Sequence, residues 1–253
     1  MSSSSVSAVF RYPVKGLGGQ ELAAAQVRPG AGLAFDRRWI LAVVDDHSSM
    51  YDDAQSWRPW QYCMTLKKYD AIARLRAAVA ETSAGLSLAI TAADGASQSA
   101  PIDDNGEGDF GGINRWLQKL LDDPRINVQH CRRPAWDERD MPVSIVNNET
   151  VAEFAGKCGE VADMTAARFR GNIVISQMPP WREHSAQEIT IGKTTFRVLS
   201  DIPRCAATQV NPQTAQRDAK VPLLLHKHYG HNHLGVYADA LAVGDIATGA
   251  EVL

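Results

Sequence analysis

A surplus of cations is missing from this chain. Its 26 lysines and arginines face 29 aspartates and glutamates, for a formal net charge of −3. Nonspecific nucleic-acid binding needs an excess of positive charge against phosphate, so no nucleic acid is expected as a macromolecular partner. Long apolar runs are missing too. None approaches the roughly 18 residues of a membrane-spanning helix, so no membrane is expected as a partner. Residues 1–5 carry neither the basic nor the apolar region of a secretory signal, and the chain reads as cytoplasmic. Cysteine is sparse. Cys63, Cys131, Cys158 and Cys205 lie 68, 27 and 47 residues apart, with no CxxC pair. That spacing excludes a small disulfide framework and a zinc ribbon, and it lacks the close-set thiolates of an iron–sulfur cluster. Each cysteine is therefore weighed singly, against the ordinary role of a small buried hydrophobe.

Core material is plentiful. Of the 253 residues, 45% are apolar, enough for one or two packed domains. Residues 6–12, 22–27, 86–91 and 172–176 read as strands, as does the apolar end of 32–44. Residues 188–198 alternate on both sides of Gly192-Lys193, a hairpin signature, and 237–253 add short strands around Gly244-Asp245 and Gly249. An amphipathic helix is expected over 113–121, and Asn148 or Thr150 is expected to cap a second one running to 155–157. Residues 65–80 fit both helical and strand periodicity. Many short strands, tight turns and few helices point to an all-β barrel or a mostly β mixture, with a soft division near residues 122–135.

Three stretches concentrate chemistry. Arg168-Phe169-Arg170-Gly171-Asn172 sets fixed donors just before a buried strand, where a guanidinium fork suits phosphate or carboxylate, although a solvated strand end looks the same. In Pro203-Arg204-Cys205, proline stiffens the loop and the cation next to the thiol favours thiolate, the form that binds a soft metal. Lys15 and Arg37 stand beside early turns. A cofactor phosphate would need several such donors converging from different loops.

In order along the chain, these residues resemble a known family. Tyr12-Pro13-Val14-Lys15-Gly16-Leu17 and Gly32-Leu33-Ala34-Phe35-Asp36-Arg37-Arg38-Trp39 resemble the N-terminal module of molybdenum-cofactor sulfurase C-terminal (MOSC) proteins. The MOSC domain itself is resembled by residues 168–175, by Ile191-Gly192, by Pro203-Arg204-Cys205, and by residues 208–214, 234–237 and 243–245. Within the family, the likeness is to the group containing the mitochondrial amidoxime-reducing component and its bacterial relatives. It extends over about residues 6–253.

The resemblance implies a mostly β fold with some α: an N-terminal β-barrel module over residues 1–125, then a MOSC β-barrel domain with short helices over 126–253. It implies molybdenum held by a molybdopterin, with Cys205 as metal ligand and catalytic residue. Lys15, Arg37, Arg170, Asn172 and Arg204 fall on cofactor-binding positions. Pyridoxal phosphate binding is a family-level association only. The implied activity is an oxidoreductase that reduces small N-hydroxylated compounds. The chain has no cysteine cluster, so electrons are expected from a separate flavin or iron–sulfur protein. The other reading is a cofactor or sulfur carrier without substrate turnover. Protons are needed for reduction, and no general acid is evident from the residues.

Two positions depart from the family pattern. Gly16 replaces a frequent serine and removes a hydroxyl, and Gly171 replaces a proline, which implies a looser turn. His226, His228, His231 and His233 form a dense cluster that reads as a polar loop, with metal binding or a place on the substrate rim as alternatives. Trp57-Arg58-Pro59-Trp60 and Pro179-Pro180-Trp181-Arg182 pair aromatics with arginine, for packing or for stacking on a flat substrate. The acidic residues 103–109 lack the ligand spacing of a calcium loop and read as solvated.

Overall fold

The computed structural model describes residues 3–43, 63–159 and 164–253, so Trp57-Arg58-Pro59-Trp60 lies outside the described residues. The first segment contains β1 (Ser5–Arg11), β2 (Gln20–Leu22), β3 (Ala24–Arg28), β4 (Gly32–Leu33) and β5 (Trp39–Val43). It continues with β6 (Arg76–Thr82), β7 (Gly85–Thr91), β8 (Ser97–Ile102) and α1 (Gly111–Leu121). Then come β9 (Ile126–His130), β10 (Val143–Asn147), α2 (Asn148–Cys158), α3 (Ala166–Phe169), β11 (Ile173–Ser176) and α4 (Arg182–Ser185). The chain closes with β12 (Glu188–Ile191), β13 (Thr194–Pro203), α5 (Val221–Tyr229), β14 (His233–Ala240) and β15 (Gly244–Ala247). The fold is mostly β.

The largest sheet runs β12-β13-β14-β10-β11-β1-β2. Strand β10 is parallel to β11, and α2 makes the crossover between them. All five β10 residues are buried, as expected of a strand covered on both faces. The first segment joins this sheet directly, because β1 pairs antiparallel with β11 from Ser5↔Ser176 to Val9↔Ile173. Strand β15 likewise pairs with β3. The two halves are thus stitched together by strand exchange at both ends of the chain.

The two largest cores follow from this layout. Val14, Leu17, Trp39, Ile72, Leu88, Ile113 and Leu117 pack under the β6-β7-β8 meander and α1. Val9, Val143, Ile145, Ile173, Phe196, Val236 and Ala238 form the second core, on one face of the large sheet. Side chains alternate along a strand, so Ser144 and Tyr237, paired across β10 and β14, turn to the opposite face. That face holds the site.

Local expectations fared unevenly. Residues 65–80 resolve into a 3-10 turn at Asp70–Arg74 followed by β6. The α2 cap is Asn147 rather than Asn148 or Thr150: its side chain accepts from Glu149 N at 3.0 Å. The histidine cluster begins on a helix and not in a loop. Buried Val221 and Leu225, a proline in the first turn and left-handed Gly230 at the end define α5, which carries His226 and His228.

Candidate functional site

Between the two halves lies a cavity of about 340 Å³. Lys15, Arg37, Arg170, Arg204 and Cys205 all line it, with Thr65 and Leu66 on the first-segment side and Thr208, Asn232 and Tyr237 on the second. Cys205 is exposed in its wall, whereas Cys63 and Cys131 are buried and Cys158 is partly so. The cysteine lies two residues beyond β13 and opens the short 3-10 helix Ala206–Gln209, and its carbonyl accepts from Thr208 Oγ1 at 2.8 Å. Arg168 pins this helix from behind. Its buried guanidinium reaches Asp218 at 2.9 Å and the Thr208 carbonyl at 3.2 Å.

The arginines converge on Tyr12. Arg37 and Arg170 place their guanidinium carbons 4.8 and 4.5 Å from its ring centroid. Both arginines have left-handed backbones, with φ of 51° and 55°, a conformation unfavourable for such side chains and held here by the surrounding network. Arg37 N donates to Tyr12 O at 2.7 Å, and Tyr12 N donates to the buried Asp36 carboxylate at 2.8 Å. Arg37 is then tied to Asp36 at 2.5 Å and to Asn172 Oδ1 at 3.2 Å. Arg170 is different: among the described residues its guanidinium has no hydrogen-bond acceptor. Burial lowers its pKa, with Arg37 acting in the same direction.

The remaining predicted residues have committed donors. Lys15 Nζ donates to Ala135 O at 2.7 Å, Trp136 O at 3.1 Å and Asp137 Oδ1 at 2.7 Å. Arg204 donates to the carbonyls of Leu234 and Phe169, the latter at 2.9 Å, and burial pushes its pKa down to about 10. Its donors therefore fix the loop carrying Cys205. Asn172 lines a small hollow behind the cavity instead of the cavity itself. Its Oδ1 accepts from Ser144 Oγ at 2.8 Å, and its Nδ2 donates to Asp36 at 3.0 Å and to Phe10 O at 3.1 Å. It is a strut between the halves.

Two residues of the wall, Asp137 and Tyr237, and one beneath its arginines, Tyr12, carry no signal in the sequence that marks them out. Asp137 stands at the mouth, its side chain 65% exposed. Desolvation alone would raise its pKa, yet Lys15, Arg37 and Arg170 outweigh that and hold it well below the carboxylate range. It sits in the charged run Asp137-Glu138-Arg139-Asp140, which carries no motif. Tyr12 stood in a quoted motif, but nothing in the motif announced two stacked cations. Tyr237, also in a quoted motif, was legible only as a strand residue.

Both departures from the family pattern have physical causes. At Gly16, φ is +89° and a Cβ would come within 3.0 Å of Ile72 and of Met64 O, so a side chain is disfavoured here. At Gly171 a Cβ would lie 2.7 Å from Val146, so that turn is tightly packed, contrary to the expected looseness.

The histidines stand apart from the cavity. Asn232 lines it, while His231 stacks on His233 at 5.4 Å and Asp201 lies 2.8 Å from His184 Nδ1 and 3.5 Å from His233 Nδ1. Among the described residues, no group of three or more His, Cys, Asp or Glu is arranged to hold a metal. Trp181 packs on Tyr229 at 4.4 Å and donates to Glu153 at 3.1 Å, a packing role. In the acidic loop, Asp103 accepts from the backbone of Asn105 and Glu107 at 2.9 and 2.8 Å.

The family model described as the MOSC N-terminal beta barrel domain matches residues 3–124, and that of the MOSC domain matches residues 122–253. The chain belongs to the MOSC family. A molybdenum cofactor sulfurase from Caenorhabditis elegans is 28% identical over 134 residues, 49% of this MOSC chain and 18% of that protein. One from Danio rerio is 24% identical over 259 residues, 85% of this chain and 29% of that protein. The mitochondrial amidoxime reducing component 2 of Bos taurus is 30% identical over 88 residues, 35% of this chain and 26% of that protein. The matched stretch is thus less than a third of each relative. The two sulfurase relatives are named for the molybdenum cofactor. The cavity suits such a group: an exposed thiol for a soft metal faces the same space as a half-buried guanidinium that has no acceptor among the described residues. Among the described residues, no helix is long and apolar enough to cross a membrane.

Proposed function

We propose that this MOSC protein is a molybdenum-cofactor oxidoreductase that reduces small N-hydroxylated compounds, drawing electrons from a separate flavin or iron–sulfur protein. The observation that carries the reading is the convergence of Lys15, Arg37, Arg170, Arg204 and Cys205 on one cavity. Cys205 would hold the metal through its thiolate, and Arg170 would bind the anionic end of the pterin. Lys15 and Arg37 add positive charge to the same wall, while Arg204 and Asn172 hold the loops in place. When bound, the group supplies a two-electron redox centre, and the protein supplies orientation and charge complementarity.

The test is metal and pterin analysis of protein made in a molybdenum-replete host, followed by assay of an N-hydroxylated substrate with a reduced donor. Cys205→Ser is expected to lose bound molybdenum and reductase activity while remaining folded; full activity with metal retained sinks the assignment. The sulfurase relatives favour a second reading, in which Cys205 carries sulfur or holds the cofactor for delivery. Loaded protein that never turns over N-hydroxylated substrate, given a competent donor, selects that reading.

A further inference from the structure

Reduction of an N–OH group consumes protons as well as electrons, and the cavity wall has few groups able to give one. The three ammonium protons of Lys15 already point at Ala135 O, Trp136 O and Asp137. Asp137 is held ionised by its cationic neighbours. Thr208 Oγ1 donates to Cys205 O, and the Thr65 hydroxyl is sealed inside the protein. Glu138 is exposed at the mouth.

Tyr237 differs from all of these. The residue is only 7% exposed, and it borders both the cavity and the small hollow behind it. Its hydroxyl makes no hydrogen bond to any described residue, yet it is not among the buried polar atoms sealed off without a partner. The sheet register explains its aim. Val236 and Ala238 enter the core, and the residue between them, opposite Ser144 on β10, must face the site.

We propose that the Tyr237 hydroxyl is the hydrogen-bond donor to the oxygen of an N-hydroxylated ligand and delivers the proton with which that oxygen departs as water. The proposal rests on the reductase reading above. The balanced step breaks the N–O bond with two electrons that originate in the reduced donor protein. One proton, from Tyr237 Oη, joins the departing hydroxyl to make water; a second, from solvent at the cavity mouth, goes to nitrogen. The tyrosinate is then reprotonated from solvent. Burial, assisted by Asp137, pushes the Tyr237 pKa above its ordinary value, so the proton is present throughout the neutral range. A phenol still remains a stronger acid than water, so transfer to a departing hydroxide runs downhill.

Tyr237→Phe deletes one oxygen that has no partner among the described residues, and its melting temperature and molybdenum content are expected to match the parent. With cofactor-loaded, oxidised protein and no electron donor, calorimetry compares N-hydroxybenzamidine with benzamidine. The parent is expected to prefer the hydroxylated compound, and the variant to lose about 2- to 10-fold of that preference, the worth of one hydrogen bond. With reduced donor present, kcat is expected to fall about 100-fold or more, with KM rising no further than the same 2- to 10-fold. A merely structural tyrosine would instead lower the melting temperature and weaken both ligands alike. If the parent shows preference and turnover and the variant matches it, the proposal is overturned and the reductase reading stands. If the parent shows neither, the reductase reading fails and takes the proposal with it.

Discussion

Arg170 is the residue on which anion binding turns, because its guanidinium alone among the predicted cofactor residues makes no hydrogen bond to the described protein. Arg170→Gln keeps most of the bulk and removes the charge; retention of the pterin through gel filtration is expected to fall about tenfold or more. Asp137 works against the same ligand by holding Lys15 at 2.7 Å. Asp137→Asn is expected to raise affinity for inorganic pyrophosphate several-fold by calorimetry, with the gain shrinking as salt is added. Equal affinity for the two proteins would mean that Asp137 does not compete for Lys15. Cys205 was singled out through the family resemblance carried by Pro203-Arg204-Cys205, and the structure places it in the cavity wall. Asp137 was not singled out, since its meaning comes from Lys15, 122 positions away.

At the level of elements, the turn between α1 and β9 provides a pH marker. Arg125 donates to Asp123 from Nε at 2.9 Å, Nη2 at 2.8 Å and its backbone N at 3.0 Å. The guanidinium first, and then the backbone N–H, lowers the Asp123 pKa to about 2. A carboxyl depressed in the folded state stabilises it above the unfolded value near 3.9, and that contribution fades as pH falls toward about 2. Carbon-detected NMR should find the Asp123 midpoint near 2, returning toward about 3.9 in Arg125→Ala. Strands announced by alternation, such as those flanking Gly192-Lys193, were readable because the pattern is local. Helix α5 was not, because its four polar residues from His226 to Tyr229 hide the short apolar anchor of Val221 and Leu225. Its existence depends on burial against α2 and β14, which only the tertiary structure supplies.

The molecule as a whole is held across its midline by Asn172. This one carboxamide touches Phe10 and Asp36 of the first segment and Arg37 and Ser144 on either side of the hollow. Asn172→Ala leaves several buried partners unpaired, and urea denaturation is expected to register a loss of about 3 kcal/mol. A loss below about 0.5 kcal/mol would mean that the strut carries no load. The predominance of strands was legible in the sequence, whereas the shared sheet was not, because pairing between residues far apart leaves no periodic trace. The same holds for the site: four cations and a thiol scattered from position 15 to 205 become one wall only when the strands exchange.

That exchange also imposes a timetable. Strand β1 pairs Ser5 with Ser176, so one of its edges waits for a partner that is translated long afterwards. At about 5–20 residues per second, the wait is about 10 to 30 s. Throughout it, the N-terminal half carries an open strand edge and half a cavity. Synthesis rate and chaperone protection of that edge therefore bear on yield more directly than the stability of the finished fold does.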